Sequence, residues 1–515
     1  MLFIDRLNAN KIACHLTYKD CFEQTVKTLL LLFPYLALLL LSACISSEGI
    51  VPQSDVPADS SYQLSEHVQD IQEDAAWPTD QWWQCFQDEQ LNQLMQLAVS
   101  QSPSVQEAQS RIRLATSLAA QTDAALSPTI DAEGQINRKR WPTDYFYGPG
   151  ELGGTSSWNN TGLLSLHYDP DIWHKNAMQS EVALSEIKKQ TAKSQIAKLN
   201  IESALISAYI QLSLNNAELE LAKQAVNSYQ EKLDVIKTQL TMGLNTEVAV
   251  YQAETQLADA EAKFEAVKDH IVTARHTIAA LLGKDPAFAD SINTPHLQLI
   301  DEVSLPSHIP AELLGHRPDV VASRWLVFSA NKHIDIAHTA FYPNINLSAA
   351  IGFMAVNGGM FSVFSHDKLT YEAGPAISLP IFDAGRIRGQ LSAATANYDM
   401  AVALYRKTLS DAMQQISDSA VSLKSAISQS TTLASAIKAS HQAYIHANDA
   451  YNVGLTDYLP VLDARLAWLQ QQFFSQQINA QALQYRADLI IALGGGLTVA
   501  NDSPQQAALQ YQVPR

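Results

Sequence analysis

The stretches "TMGLNTEVAVYQAETQLADAE", residues 241–261, and "NVGLTDYLPVLDARLAWLQQQ", residues 452–472, decide how this chain is read. In each, a Gly-Leu pair interrupts a run suited to helix, and a second helical pattern begins at once. Gly243 and Gly454 stand 211 residues apart, as do Leu244 and Leu455. The chain makes the same hairpin twice, and a repeat of this kind governs everything outside it.

Working outward, Lys175 aligns with Arg386 at the same offset of 211, while Pro103 aligns with Pro318 and Pro128 with Pro343 at an offset of 215. A single difference in loop length between Pro128 and Lys175 accounts for both offsets. Each repeat opens with a moderate helical pattern, about 104–126 and 318–341. Two alternating segments follow. Ile130, Ala132, Gly134 and Ile136 share a face in the first, and Trp158, Gly162, Leu164, Leu166 and Tyr168 in the second. Ile345, Leu347, Ala349, Ile351 and Phe353, then Leu369, Tyr371, Ala373, Ile377 and Leu379, do the same in the second repeat. Period two with one apolar face predicts half-buried strands at about 128–140, 156–169, 343–354 and 368–380. Beyond them no Gly or Pro occurs from Asp171 to Met242 or from Gln390 to Val453. At the α-helical rise the longer run reaches roughly 100 Å. In the first repeat the return helix, Leu244 to Leu282, and the moderate helix together come near the long helix in length, so two short helices stacked end to end could run beside one long one.

The chain has 515 residues and a formal charge of -18, which argues against a nucleic-acid binder, since that would need a basic face. Lys27 precedes an apolar run, Leu29 to Leu41, too short for a comfortable membrane helix. It ends in Leu41-Ser42-Ala43-Cys44, which resembles a bacterial lipobox and makes Cys44 the lipid-bearing first residue of a mature protein. The alternative is an ordinary signal peptide with an incidental cysteine. Residues 1–26 are long for the positive region of a leader, so a start downstream is expected; Ile45 in place of Asp favours sorting to the outer membrane. Cys14 and Cys21 leave with the leader, and Cys85 alone cannot support a disulfide framework.

The strands are long enough for a tilted bilayer crossing, but only closed barrels cross as strands, and four cannot close. Either several protomers share one barrel, or the strands form an ordinary sheet. Loop residues between paired strands, the aromatic Trp141, Tyr145, Phe146 and Tyr147, then Met360 with the aromatic Phe361 and Phe364, suit outward loops near a membrane interface.

These residues resemble the outer-membrane factors of bacterial tripartite efflux systems, the TolC-like proteins, and especially their NodT-like lipoprotein branch. The resemblance covers about residues 41–497. It is carried by Leu-Ser-Ala-Cys at 41–44, "WWQCFQDEQLNQLMQLAVSQSP" at 82–103 and "LLGHRPDVVASRWLVFSANKHIDIAHTAFYPNINLSAAIGF" at 313–353. "LPIFDAGRIRGQ" at 379–390, "VGLTDYLPVLDA" at 453–464 and "ALGGG" at 492–496 complete it. His174, where a glycine is common, and Pro170 depart from the family pattern and leave the bend into the first long helix open.

The resemblance implies an α+β membrane protein. A homotrimer would close four transmembrane β-strands per protomer into one 12-stranded β-barrel, continued by a long antiparallel α-helical barrel through the periplasm. The division would be a lipoprotein signal peptide 1–43, an N-terminal equatorial segment 44–103, repeats at 104–295 and 296–497, and a tail 498–515. The implied partners are a periplasmic adaptor (membrane fusion) protein, an inner-membrane pump of RND, MFS or ABC type, and outer-membrane lipid. Met242, Gly243, Leu244 and Asn245, with Val453, Gly454, Leu455 and Thr456, would form the adaptor-docking tips. Asn245 and Thr456 are placed to cap the returning helices. Leu459 and Asp463, four apart on one helix face, would line a periplasmic gate as leucine and aspartate rings. The alternative is that Asp463 pairs with Arg465 or a neighbour. Gln252 holds its place in the first repeat, so only the second hairpin carries the acid.

The sequence contains no nucleophile elbow, no HExxH and no phosphate loop. His333 and His338 are too far apart in sequence to share a metal readily, and His270 and His441 read as solvated helix positions. No enzyme, metal or cofactor is expected beyond the lipid on Cys44. The expected function is the exit duct of a drug or toxic-compound efflux system. A duct for type I protein secretion and a non-conducting coiled-coil envelope lipoprotein are the alternatives.

Overall fold

The computed structural model describes residues 46–57, 77–143, 153–298, 316–356 and 359–496. The leader with Cys44, the tail at 498–515, and Tyr145, Phe146 and Tyr147 lie outside them. The chain divides into two compact units, one of residues 1–53, 121–181 and 330–399, the other of 54–120, 182–329 and 400–515.

The first unit is built on four strands, β1 (Thr129–Arg140), β2 (Ser156–Tyr168), β3 (Asn344–Ala355) and β4 (Leu369–Ser378). They form one antiparallel meander in the order β1-β2-β3-β4. The ladder sets Ile130 opposite Leu166, Leu166 opposite Ala349, and Ala349 opposite Ala373. Ala132, Leu164, Ile351 and Tyr371 form another such rung. Directly opposed residues share a face, so an apolar face runs unbroken across both repeats. The other face carries Asp131, Ser165, Ala350 and Glu372 on one rung. Ile130, Ile351, Tyr371 and Ile377 are more than half exposed, so this chain's described residues do not cover the apolar face. At the seam between repeats, a Cβ on Gly352 would fall 2.0 Å from the carbonyl oxygen of Gly162. Only glycine lets β2 and β3 approach this closely.

The loop aromatics behave differently from one another. Trp141 is buried, with its indole N–H donating to Ser157 Oγ at 2.8 Å. Phe361 and Phe364 are exposed, and Phe364 meets Phe353 edge-on.

Each pair of strands leads into a helix of 67 residues, α3 (Lys175–Thr241) and α6 (Arg386–Asn452), each roughly 100 Å long. An aspartate caps each start. Asp171 accepts the amides of Asn176 and Ala177, both at 2.8 Å, and Asp383 accepts those of Gly385 at 3.1 Å and Ile387 at 2.8 Å. His174 has φ 58 where its repeat counterpart Gly385 has φ 88. The bend is thus left-handed in both repeats, and His174 meets the strain that glycine would avoid.

The helices of the second unit include α1 (Glu89–Gln101), α4 (Glu247–Leu281) and α7 (Leu459–Ala492). Two shorter helices, α2 (Pro103–Asp123) and α5 (Pro318–Thr339), complete the set. α4 closes with Gly283 at φ 67, and a Cβ there would sit 2.9 Å from the Pro103 ring that opens α2. α7 closes with Gly494 at φ 104, where a Cβ would fall 2.0 Å from the His316 carbonyl oxygen just before α5. Short helices therefore meet end to end in both repeats, as their lengths suggest. The main core joins Trp82, Trp83 and Phe86 of the "WWQCF" turn to Leu205, Ile206 and Tyr209 of α3, with Leu483 and Ala487 of α7. Cys85 is a free, half-buried cysteine whose thiol burial pushes up. Among the described residues no helix is long and apolar enough to cross a membrane.

Candidate functional site: the paired hairpin tips

The two hairpin turns have the same backbone. The Leu244 amide donates to the Gln239 carbonyl at 2.8 Å and the Gly243 amide to Leu240 at 2.9 Å. At the second tip Leu455 donates to Ala450 and Gly454 to Tyr451, both at 2.9 Å. Gly243 and Gly454 have φ 69 and 75. This is a helix C-cap in which a left-handed residue, nearly always glycine, satisfies the last carbonyls. The side chains at the turns point into solvent: Met242, Leu244, Val453 and Leu455 are 67%, 74%, 71% and 81% exposed.

The return helices differ, and neither begins as the sequence suggests. Thr246, not Asn245, caps α4, accepting the Ala249 amide at 3.4 Å. Asn245 instead accepts the Thr246 amide and donates to Gln239 Oε1 at 3.0 Å. α7 starts at Leu459, beyond Thr456, and its N-cap Tyr458 supplies no side-chain bond. Pro460 sits in the first turn, where its missing N–H costs little. Asp457, the counterpart of Thr246, accepts from Gln239 Nε2 at 3.2 Å instead of capping its own helix. The second tip therefore gives up a cap to bind the first. Thr246→Ala is expected to loosen the α4 start by about 1 kcal/mol, read as faster amide exchange at Val248–Val250.

Further contacts tie α7 to α3. Lys232 Nζ lies 2.8 Å from Asp463 Oδ1, and Asp463 is 59% exposed. Arg465 reaches Glu231 at 3.7 Å, and the Tyr458 hydroxyl donates to Glu231 at 3.4 Å. Leu459 packs on Leu233, Ile236, Val250 and Ala253, while Val461 and Leu462 are buried. Asp463 thus pairs with a neighbour, and the neighbour is Lys232 rather than Arg465. The sequence offered no signal for Lys232, Glu231 or Asp457 in this network, because the partners stand more than 200 residues away on another helix. Among the described residues no cluster of three or more His, Cys, Asp or Glu is placed to hold a metal ion.

A family model described as "Outer membrane efflux protein" matches residues 94–284 and 309–495. The chain is 37% identical over 358 residues to the fusaric acid resistance protein FusA of Burkholderia cepacia, covering 70% of this chain and 68% of that one. It is 28% identical over 434 residues to the toluene efflux pump outer membrane protein TtgF of Pseudomonas putida, covering 83% and 87%. Among solved structures, the outer membrane protein VceC of Vibrio cholerae is 32% identical with a TM-score of 0.74, covering 82% of this chain and 100% of that one. The CmeC outer membrane channel of Campylobacter jejuni shares the fold at 21% identity, with a TM-score of 0.79 and coverage of 90% and 98%. With matched segments in both repeats and a relative above a third identical, this chain belongs to the outer membrane efflux protein family, whose members serve as non-enzymatic exit ducts of efflux pumps.

Proposed function

We propose that three copies of this chain join sheet edge to sheet edge, closing a 12-stranded β-barrel whose apolar face meets lipid and whose polar face lines a water-filled lumen. The four-stranded sheet carries this reading: one face is apolar and uncovered, the other bears Asp131 and Glu372, and four strands leave two open edges. Open edges cannot stand in hydrocarbon. The long helices would continue the duct into the periplasm, and an acyl group on Cys44 would anchor it. The exposed tips at Met242–Asn245 and Val453–Thr456 would dock a periplasmic adaptor, linking the duct to an inner-membrane pump of RND, MFS or ABC type. Relatives named for fusaric acid and toluene favour drugs or small toxic compounds as cargo here. The mass and imaged shape of the detergent-extracted protein test this reading: three copies with one barrel support it, and a monomer without detergent overturns it.

The gate would lie at the start of α7, with Leu459 and Asp463 on its rim. The pairs Lys232–Asp463 and Glu231–Arg465 then hold α7 against α3 in the closed state. Exposed pairs contribute about 0–1 kcal/mol each, which leaves the closed state within reach of a docking adaptor. The double substitution Glu231→Gln with Lys232→Ala is expected to raise single-channel conductance in planar bilayers several-fold. Unchanged conductance would remove these pairs from the gate.

A further inference from the structure

We propose that α6 carries a docking stripe for the chain's own N-terminal segment, and that the stripe recognises the main chain of residues 46–55 rather than its side chains. Arg388 donates to the carbonyl oxygens of Ser46 and, at 3.3 Å, Glu48. The Asp399 carboxylate accepts the Gln53 amide at 3.0 and 3.3 Å. Further along α6, Arg406 donates to the Asp55 carbonyl oxygen at 2.6 Å. Every one of these bonds ends on a backbone atom. Ile50 of the segment packs against Ile334, Leu391 and Ala394. Val51 and Val56 are exposed.

The spacing is that of a single line along a helix. Arg388 to Asp399 is 11 residues and Asp399 to Arg406 is 7, which are close to three and two whole turns. The stripe rises about 27 Å at the α-helical rise, while nine extended residues reach about 30 Å. The strap and its track therefore match in length. Nor is the stripe a generic solvated face. At the offset of 211, α3 has Ala177, Lys188 and Gln195 in these places, so only one of the two equivalent helices carries the set. Charge-assisted bonds to backbone groups fix position without reading sequence.

If Cys44 is acylated, as proposed above, only Ile45 separates it from Ser46, and the two residue steps reach at most ~7 Å. The stripe then fixes the lipid's level relative to the first turns of α6. A strap held this way tolerates almost any residue but not a lost backbone donor.

The test uses the full chain in native outer membranes. The readout is the rate at which a broad-specificity protease clips within residues 46–57, with the acyl mass on Cys44 measured in parallel. Arg388→Ala and Asp399→Ala are expected to raise clipping at least tenfold, and so is Gln53→Pro, which deletes the amide donor. Asp399→Asn, which keeps an acceptor, and Gln53→Ala, which keeps the amide, are expected to stay within twofold of the parent. Clipping unchanged in Arg388→Ala and Asp399→Ala overturns the stripe. Equal sensitivity of Gln53→Ala and Gln53→Pro overturns main-chain recognition. An unacylated Cys44 in the parent sinks the anchor reading alone, since the clipping comparison does not depend on it.

Discussion

Arg317→Ala is expected to destabilise the protein by roughly 3 kcal/mol, the lower end for breaking a buried ion pair from one side. Arg317 is only 7% exposed. Its guanidinium grips Asp319 with two bonds, Nε to Oδ1 at 3.1 Å and Nη2 to Oδ2 at 2.6 Å. Nη1 donates to the carbonyl oxygen of Ala492, the last residue of α7, at 2.8 Å, and Nη2 to Gln415 Oε1 at 3.0 Å. One side chain thus ties the start of α5 to the end of α7 and to the middle of α6. Alanine would leave the Asp319 carboxylate and a helix-end carbonyl without these donors. Arg317→Lys keeps the charge but not the fork, so it should fall between parent and alanine. The apparent unfolding midpoint in detergent reports the loss. In a double-mutant cycle, Asp319→Ala should cost much less in the Arg317→Ala background than alone. Full additivity would mean that the two residues act separately.

The same junction shows what the sequence could and could not reveal. The end-to-end meeting of short helices follows from counting residues between glycines and prolines, and Gly283 against Pro103 confirms it. The strand faces follow from period two, because Ile345, Leu347, Ala349, Ile351 and Phe353 must lie on one side of any strand they form. The tip turns follow from Gly243 and Gly454, since a helix reversal needs a left-handed residue. What stayed hidden are contacts between helices. Nothing local in the sequence names the three partners of Arg317, and Ser102, its counterpart in the first repeat, is buried and carries no such fork. Asn245 and Thr456 looked like caps because cap preference is a local signal, yet Thr246 takes the role at one tip. At the other, Asp457 is drawn away by Gln239, a residue 218 positions distant. Asp463 finds Lys232 for the same reason. Pairing across helices depends on their rotation and register, which a broad alanine-rich stripe leaves free.

Glu202 should make stability fall as pH rises from about 4.5 to about 7. Its side chain is fully buried in α3, where the repeat counterpart is Met413, a member of an apolar cluster with Ile416 and Ala420. One carboxyl oxygen accepts the Trp82 indole N–H at 3.1 Å, and the other has no hydrogen-bond donor. Lys198 stands 3.8 Å away and is itself engaged by Asp80 at 2.7 Å. Burial pushes the Glu202 carboxyl from its ordinary 4.5 up to about 7, against the opposing pull of Lys198 and Trp82, while Asp80 adds to the rise. The raised value fixes the sign. Between the two values the folded protein holds a proton that the unfolded chain has released, so the proton stabilises the fold. That stabilisation is complete below about 4.5 and lost above about 7, an amplitude of roughly 3 kcal/mol at 1.36 kcal/mol per unit. Glu202→Met, which copies the other repeat, should remove this dependence and be the more stable protein at pH 8, with little difference at pH 4.5. Glu202→Gln keeps an acceptor for Trp82 and should also lack this fall between pH 4.5 and 7, which separates loss of charge from loss of the bond. Unfolding midpoints of the three proteins across pH 4.5–8 decide the matter, and parallel curves would show that Glu202 keeps its charge throughout. Trp82 belongs to the buried "WWQCF" turn, so a deprotonated Glu202 places its unfavourable charge where the N-terminal segment enters the core.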